Sequence, residues 1–149
     1  MTDLLLAITH HLLVFSLTAL LVVELVLLRQ PMSAASVAFI ARIDIFFGAA
    51  AGGVLAVGFL RVFLGEMPEA FYLESPYFWT KIAAFAAVGV LSIAPTIRFA
   101  GWGRRLRADP GFRPPAEEVR ITRRFVTAEA GLFLLIPVFA AVMAQRGSF

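Results

Sequence analysis

Few side chains in this sequence are equipped for chemistry, and they fall into two groups. The first contains the only two histidines, His10 and His11, with Arg61 and Lys81 at matching distances from the ends of their own apolar runs. Imidazole is a ligand for iron, copper and zinc. An axial histidine inside a helix bundle is one way to hold haem b without covalent attachment. Arg61 and Lys81 beside it would pair with the haem propionates or with any other acidic ligand. Zinc alone fits poorly, because adjacent histidines on a helix point about 100° apart and no carboxylate cluster completes a set. Copper would want more histidine or methionine nearby, with Met67 the one candidate. The cofactor-binding candidates are therefore His10, His11, Arg61 and Lys81, with His10 the metal ligand. The plainer alternative is that these histidines are amphipathic anchors at a membrane boundary.

The second group is Glu24, Arg42, Asp44, Arg98, Arg124 and Glu129. Ionisable groups inside apolar runs are costly and normally face a protein interior, in pairs. Three carboxylates and three arginines at one depth suggest a buried polar network that holds helices in register. The sharper alternative is a proton or cation path with Glu24 and Glu129 as relays. Such a path needs a continuous polar track to the histidines, and the intervening positions offer only Ser16, Thr18 and Ser92. At 100° per residue, His10 and Glu24 lie within about 40° of each other on one helix, whereas His11 points about 140° away from Glu24. If Glu24 faces inward, so does His10.

The elements that must position these groups follow from composition. Of 149 residues, 60% are hydrophobic and only 15% are charged, and the mean hydropathy is +0.88. A water-soluble domain is nearer 45–50% apolar and about 25% charged, so that class is excluded. The absence of cysteine excludes disulfides, iron–sulfur clusters and covalently attached c-type haem. Four apolar runs, about residues 4–28, 36–64, 77–100 and 125–144, are each near the length that crosses a bilayer as a helix. The expectation is an all-α integral membrane protein: one transmembrane domain over residues 1–149, folded as an antiparallel four-helix bundle. The first run lacks the basic start and small-residue cleavage site of a signal peptide. Gly48 and Gly52, four apart, predict a small-residue face for self-association into a homo-oligomer. Pro95 and Pro137 are expected to bend the third and fourth spans.

The net charge of +3 and a pI near 10.2 would suit nucleic acid, but the charge is concentrated elsewhere. Arg98, Arg104, Arg105, Arg107, Arg113, Arg120, Arg123 and Arg124 stand between spans three and four, whereas the segment between spans two and three holds Glu66, Glu69 and Glu74 and no basic residue. The positive-inside rule places the basic connections in the cytoplasm and both termini outside, in a bacterial inner (cell) membrane. Anionic lipid headgroups, not nucleic acid, are the partners this implies.

T-H-H-L-L in the first span, E-L-V-L-L at its end, A-R-I-D, W-T-K-I-A-A-F, S-I-A-P-T-I-R-F and F-V-T-A-E-A-G-L-F-L-L-I-P together resemble a bacterial family of small four-span predicted membrane proteins of unknown function. The resemblance covers about Leu4 to Ala144. More distantly, the arrangement is similar to the haem-containing membrane protoporphyrinogen oxidase and to copper-resistance-type four-helix membrane domains. The oxidase family has a histidine in its first span and a lysine opening its third, which correspond to His10 (or His11) and Lys81. This resemblance implies haem b near the outer end of the bundle and electron transfer with a membrane redox partner. The other readings are a small proton or cation transporter or channel subunit, and a non-catalytic assembly partner of a membrane complex.

Overall fold

In lipid a backbone has no water to bond, so an apolar run must satisfy its own N–H and C=O groups, and the helix is the local solution. The computed structural model describes residues 2–65 and 68–146. It is all-α, with six helices among those residues: α1 (Thr2–Leu27), α2 (Ala34–Leu64), α3 (Glu69–Leu73), α4 (Pro76–Ala108), α5 (Ala116–Phe133) and α6 (Leu135–Arg146). Three of them, α1, α2 and α4, are long and apolar enough to cross a membrane. The shortest of the three, α1, has 26 residues, about 39 Å at 1.5 Å per residue, against about 30 Å of hydrocarbon. Large apolar side chains face outward along them, Phe15, Ile45 and Val90 each being at least 67% exposed. A surface of that kind is matched by acyl chains.

The ends of the helices follow local chemistry. Ser33 caps α2, its hydroxyl accepting from the Ser36 N–H at 3.1 Å. Pro76 stands in the first turn of α4, where a missing N–H is harmless. The two interior prolines behave differently. Pro95 is fully buried and α4 runs through it unbroken. Pro137 is exposed, has no N–H for the Phe133 carbonyl, and the helix stops at Leu134 before resuming as α6. The run expected as a fourth span, 125–144, thus falls across the end of α5 and most of α6. The arginine-rich segment, expected as a connection over 98–124, is mainly helix. α4 extends to Ala108 and α5 begins at Ala116, which leaves only 109–115 as a turn.

The helices pack in a closed order, with α1 against α2, α2 against α4, α4 against α5 and α6, and α5 against α1. Neighbours are antiparallel: Asp3 at the start of α1 meets Arg61 at the end of α2, and Trp102 late in α4 meets Glu118 early in α5. The core comprises Leu17, Leu21, Ile40, Phe47, Val54, Val88, Phe99, Trp102, Val126 and Phe133. Its two largest fully buried side chains lie where α4 crosses α5. There Phe99 and Trp102 pack edge to face at 5.6 Å, and the buried indole N–H donates to Glu118 Oε2 at 2.8 Å.

Candidate functional site

The histidine end contains a cavity of about 410 Å³ between α1, α2, α4 and α6, with His10, Arg61, Phe78 and Lys81 among its walls. A smaller chamber of about 70 Å³ continues along α2 and α4 past Val54 and Phe85. His10 is half-buried, and its ring edge lies against Gly58, where a Cβ would come within 3.4 Å of Cε1 and 3.7 Å of Nδ1. Nδ1 is buried with no hydrogen-bond partner. Lys81, Arg61 and His11 all bear electrostatically on the ring, and the Val54 backbone stands near enough to interact with it without making a close hydrogen bond to Nδ1. His11 is exposed at the rim, and its Nδ1 donates to the Ala7 carbonyl at 2.7 Å, so the two rings divide the inward and outward roles.

The cations of this cavity are poorly matched. Arg61 Nε is 3.8 Å from Asp3 Oδ1 and has no hydrogen bond. The Lys81 ammonium lies over the Phe78 ring, 5.2 Å from its centroid, and no carboxylate pairs with it among the described residues. A cavity with apolar walls, one free imidazole edge and two cations is chemically suited to an anionic ligand with an apolar body. Among the described residues no group of three or more His, Asp or Glu is placed to hold a metal ion. Met67, the candidate for copper, and Glu66 lie outside the described residues.

The carboxyl half is built otherwise. Glu24 from α1, Asp44 from α2 and Glu129 from α5 are all buried, at 2%, 7% and 1% exposure. Glu24 lies within electrostatic reach of both Asp44 and Glu129, and Glu129 of Asp44. Thr96 on α4 donates to Asp44 Oδ1 at 2.7 Å. One oxygen of Glu24 and one of Glu129 are buried with no partner.

The three arginines expected to neutralise these carboxylates do not pair with them. Arg42 and Arg124 are exposed. Arg98 donates to the Thr122 hydroxyl at 3.2 Å and lies 5.8 Å from the Phe125 ring centroid. The reason is steric and electrostatic together: a guanidinium is large, always charged and strongly drawn to a membrane boundary, whereas a carboxyl is compact and fits among Leu and Val. The hydroxyls between the two sites are also committed locally. Ser16, Thr18 and Ser92 donate to the carbonyls of Leu12, Val14 and Gly89 on their own helices.

One comparison with known proteins is decisive. A family model matches residues 2–147, nearly the whole chain. The chain belongs to the DUF2214 family of predicted membrane proteins. No curated protein and no solved structure matches it. In this DUF2214 chain the residues that sequence reasoning missed are Thr96, Thr122, Trp102 and Glu118 at the arginine-rich end, and Asp3 at the histidine end. The signal for two of them was present: Glu118, Thr122 and Glu129 recur at intervals of four and seven, one face of α5.

Proposed function

We propose that this DUF2214 protein is a multi-pass protein of the bacterial inner membrane that binds haem b in the His10 cavity and exchanges electrons with a membrane redox partner. Both termini lie outside, and the arginine-rich end of α4, the turn after it and the start of α5 are cytoplasmic, following the distribution of basic residues. The observation that carries the haem reading is the buried, unpartnered imidazole edge of His10 sharing a cavity with Arg61 and Lys81. A bound haem would supply one-electron chemistry. His10 would hold its iron, Arg61 and Lys81 would take the propionates, and Phe78 and Phe133 would exclude water from its faces. Gly58 supports the fit by leaving room for the ring beside α2. The face bearing Gly48 and Gly52, where an added Cβ would meet nothing within 4 Å, is open for a second copy.

The test is spectroscopic. Protein purified from cells supplied with a haem precursor should show a Soret band that His10→Ala removes and that His11→Ala leaves in place. A colourless preparation after haem reconstitution rejects the reading. Because the chain has no cysteine, single cysteines introduced at Gly111 and Thr2 report the topology directly. Only the second should react with an impermeant thiol reagent applied to spheroplasts.

A further inference from the structure

The carboxyl half poses a problem that the haem reading does not touch. Glu24 and Glu129 are 98–99% buried by the complement of their 2% and 1% exposures, and each has an oxygen with no hydrogen-bond partner. The groups facing them from every packed element are known. α1 brings Glu24 itself; α2 brings Asp44, with Arg42 directed outward; α4 brings Thr96 and Arg98; α5 brings Glu129, Thr122 and Arg124, the last also outward. Arg98 is engaged by Thr122 and Phe125. Among the described residues no cation therefore offsets three acidic groups, each within electrostatic reach of another. Ionised together in a low-dielectric interior they would cost many kcal/mol, and taking up protons removes that cost. The three are not gathered into a shell that fits a metal ion, so the occupant of fitting chemistry is the proton.

Toward the arginine-rich end, the Thr122 hydroxyl donates to the Glu118 carbonyl, and the Glu118 carboxylate holds Trp102 and Arg105. Toward the histidines the way is closed by apolar side chains: Leu17 and Leu21 on α1, Phe47 and Val54 on α2, Val88 on α4 and Phe133 on α5, all buried. We infer that Glu24, Asp44 and Glu129 form a proton-binding well, sealed by apolar side chains from the histidine cavity.

Two measurements on the full chain in lipid decide this. Infrared spectra of the protein in nanodiscs at neutral pH should contain a protonated-carboxyl C=O band, and Glu24→Gln and Glu129→Gln should each remove about a third or more of its area. Gln has the shape of Glu, and circular dichroism of each variant confirms the fold. If no such band is present in the wild-type protein, or if both folded variants retain it in full, the inference fails. If neither variant folds, the wild-type band alone decides: it should vanish reversibly on raising the pH, and its absence at neutral pH overturns the site. The seal is tested in proteoliposomes loaded with a pH-sensitive dye. Proton flux should equal that of empty liposomes, and a flux that Glu129→Gln abolishes would show a through-path instead. Neither readout depends on haem, so a colourless protein leaves both standing.

Discussion

The two ends of this bundle handle the same difficulty, polar groups among apolar helices, in opposite ways. Toward the arginine-rich end the polar groups of α4 are interlocked with their neighbours, Trp102 with Glu118, Arg98 with Thr122 and Thr96 with Asp44, and among the described residues there only the carboxyls of Glu24 and Glu129 keep an unpartnered oxygen. Packing there is close enough that a Cβ at Gly103 would come within 3.3 Å of Ala41. At the histidine end His10, Arg61 and Lys81 surround open volume, and their polar atoms are unmatched or loosely matched. The first arrangement gains cross-helix bonds in its interior, and its open space, a cleft of about 480 Å³, lies outside them between Arg29, Met32, Val119 and Arg123. The second forgoes contacts and keeps a cavity, as binding sites commonly do.

The sharpest way to break this contrast is Trp102→Ala. The side chain is 1% exposed, and deletions of this size in a packed core cost about 3–5 kcal/mol, here with the Glu118 acceptor also left without its donor. Reversible unfolding in bicelles should show that loss. Phe78→Ala, on the cavity wall, should cost less than half as much because part of the ring already faces open volume. Equal losses would remove the distinction between a stabilising end and a binding end. Next in size is Gly58→Leu, which drives a branched side chain toward the His10 ring. It should weaken haem binding at least about tenfold, near 1.4 kcal/mol, while the unfolding midpoint holds or rises, since Gly is a poor helix former.

Much of this contrast was legible in the sequence, and the part that was not has a definite cause. Long apolar runs fix α1, α2 and α4 because lipid leaves the backbone no alternative, and the 14-residue separation of His10 from Glu24 puts both on one face of α1. The membership of the polar network was harder to read. Charge alone suggested pairing Glu24, Asp44 and Glu129 with Arg42, Arg98 and Arg124, yet Arg42 and Arg124 turn outward to the boundary, while Thr122 is buried and the Thr96 hydroxyl reaches in to Asp44. A hydroxyl carries no charge signal and looks like packing until a partner helix is in place. The break at Leu134 was only half visible. Pro137 announced a disturbance, but whether a proline bends or interrupts its helix depends on how tightly neighbours hold it, as buried Pro95 shows.

Thr96→Val probes the interlocked end more gently. Valine keeps the volume and removes the hydroxyl that donates to Asp44 at 2.7 Å, so it should cost about 1–3 kcal/mol. Asp44→Asn restores the balance if its amide finds another acceptor. In a double-mutant cycle the two changes should therefore be less damaging together than their sum. Additivity would mean that the bond contributes nothing across α2 and α4.

The smallest effect belongs to a pair that looks strong by distance. Arg120 Nη2 donates to Glu117 Oε1 at 2.9 Å and lies 2.7 Å from Oε2. The hydrogen bond and charge of that guanidinium hold the Glu117 carboxyl below the ordinary glutamate value. A lowered value means that any stabilisation is present above the ordinary pKa of about 4.3 and disappears as pH falls through the lowered one. Both side chains are more than half exposed, however, and water screens such pairs almost completely. Glu117→Gln should therefore leave the unfolding midpoint unchanged at neutral pH and at pH 3 alike. A clear loss confined to neutral pH would show that the start of α5 is buried against something the isolated chain does not contain, such as lipid headgroups or a second copy, and that the arginine-rich end continues beyond this molecule's own surface.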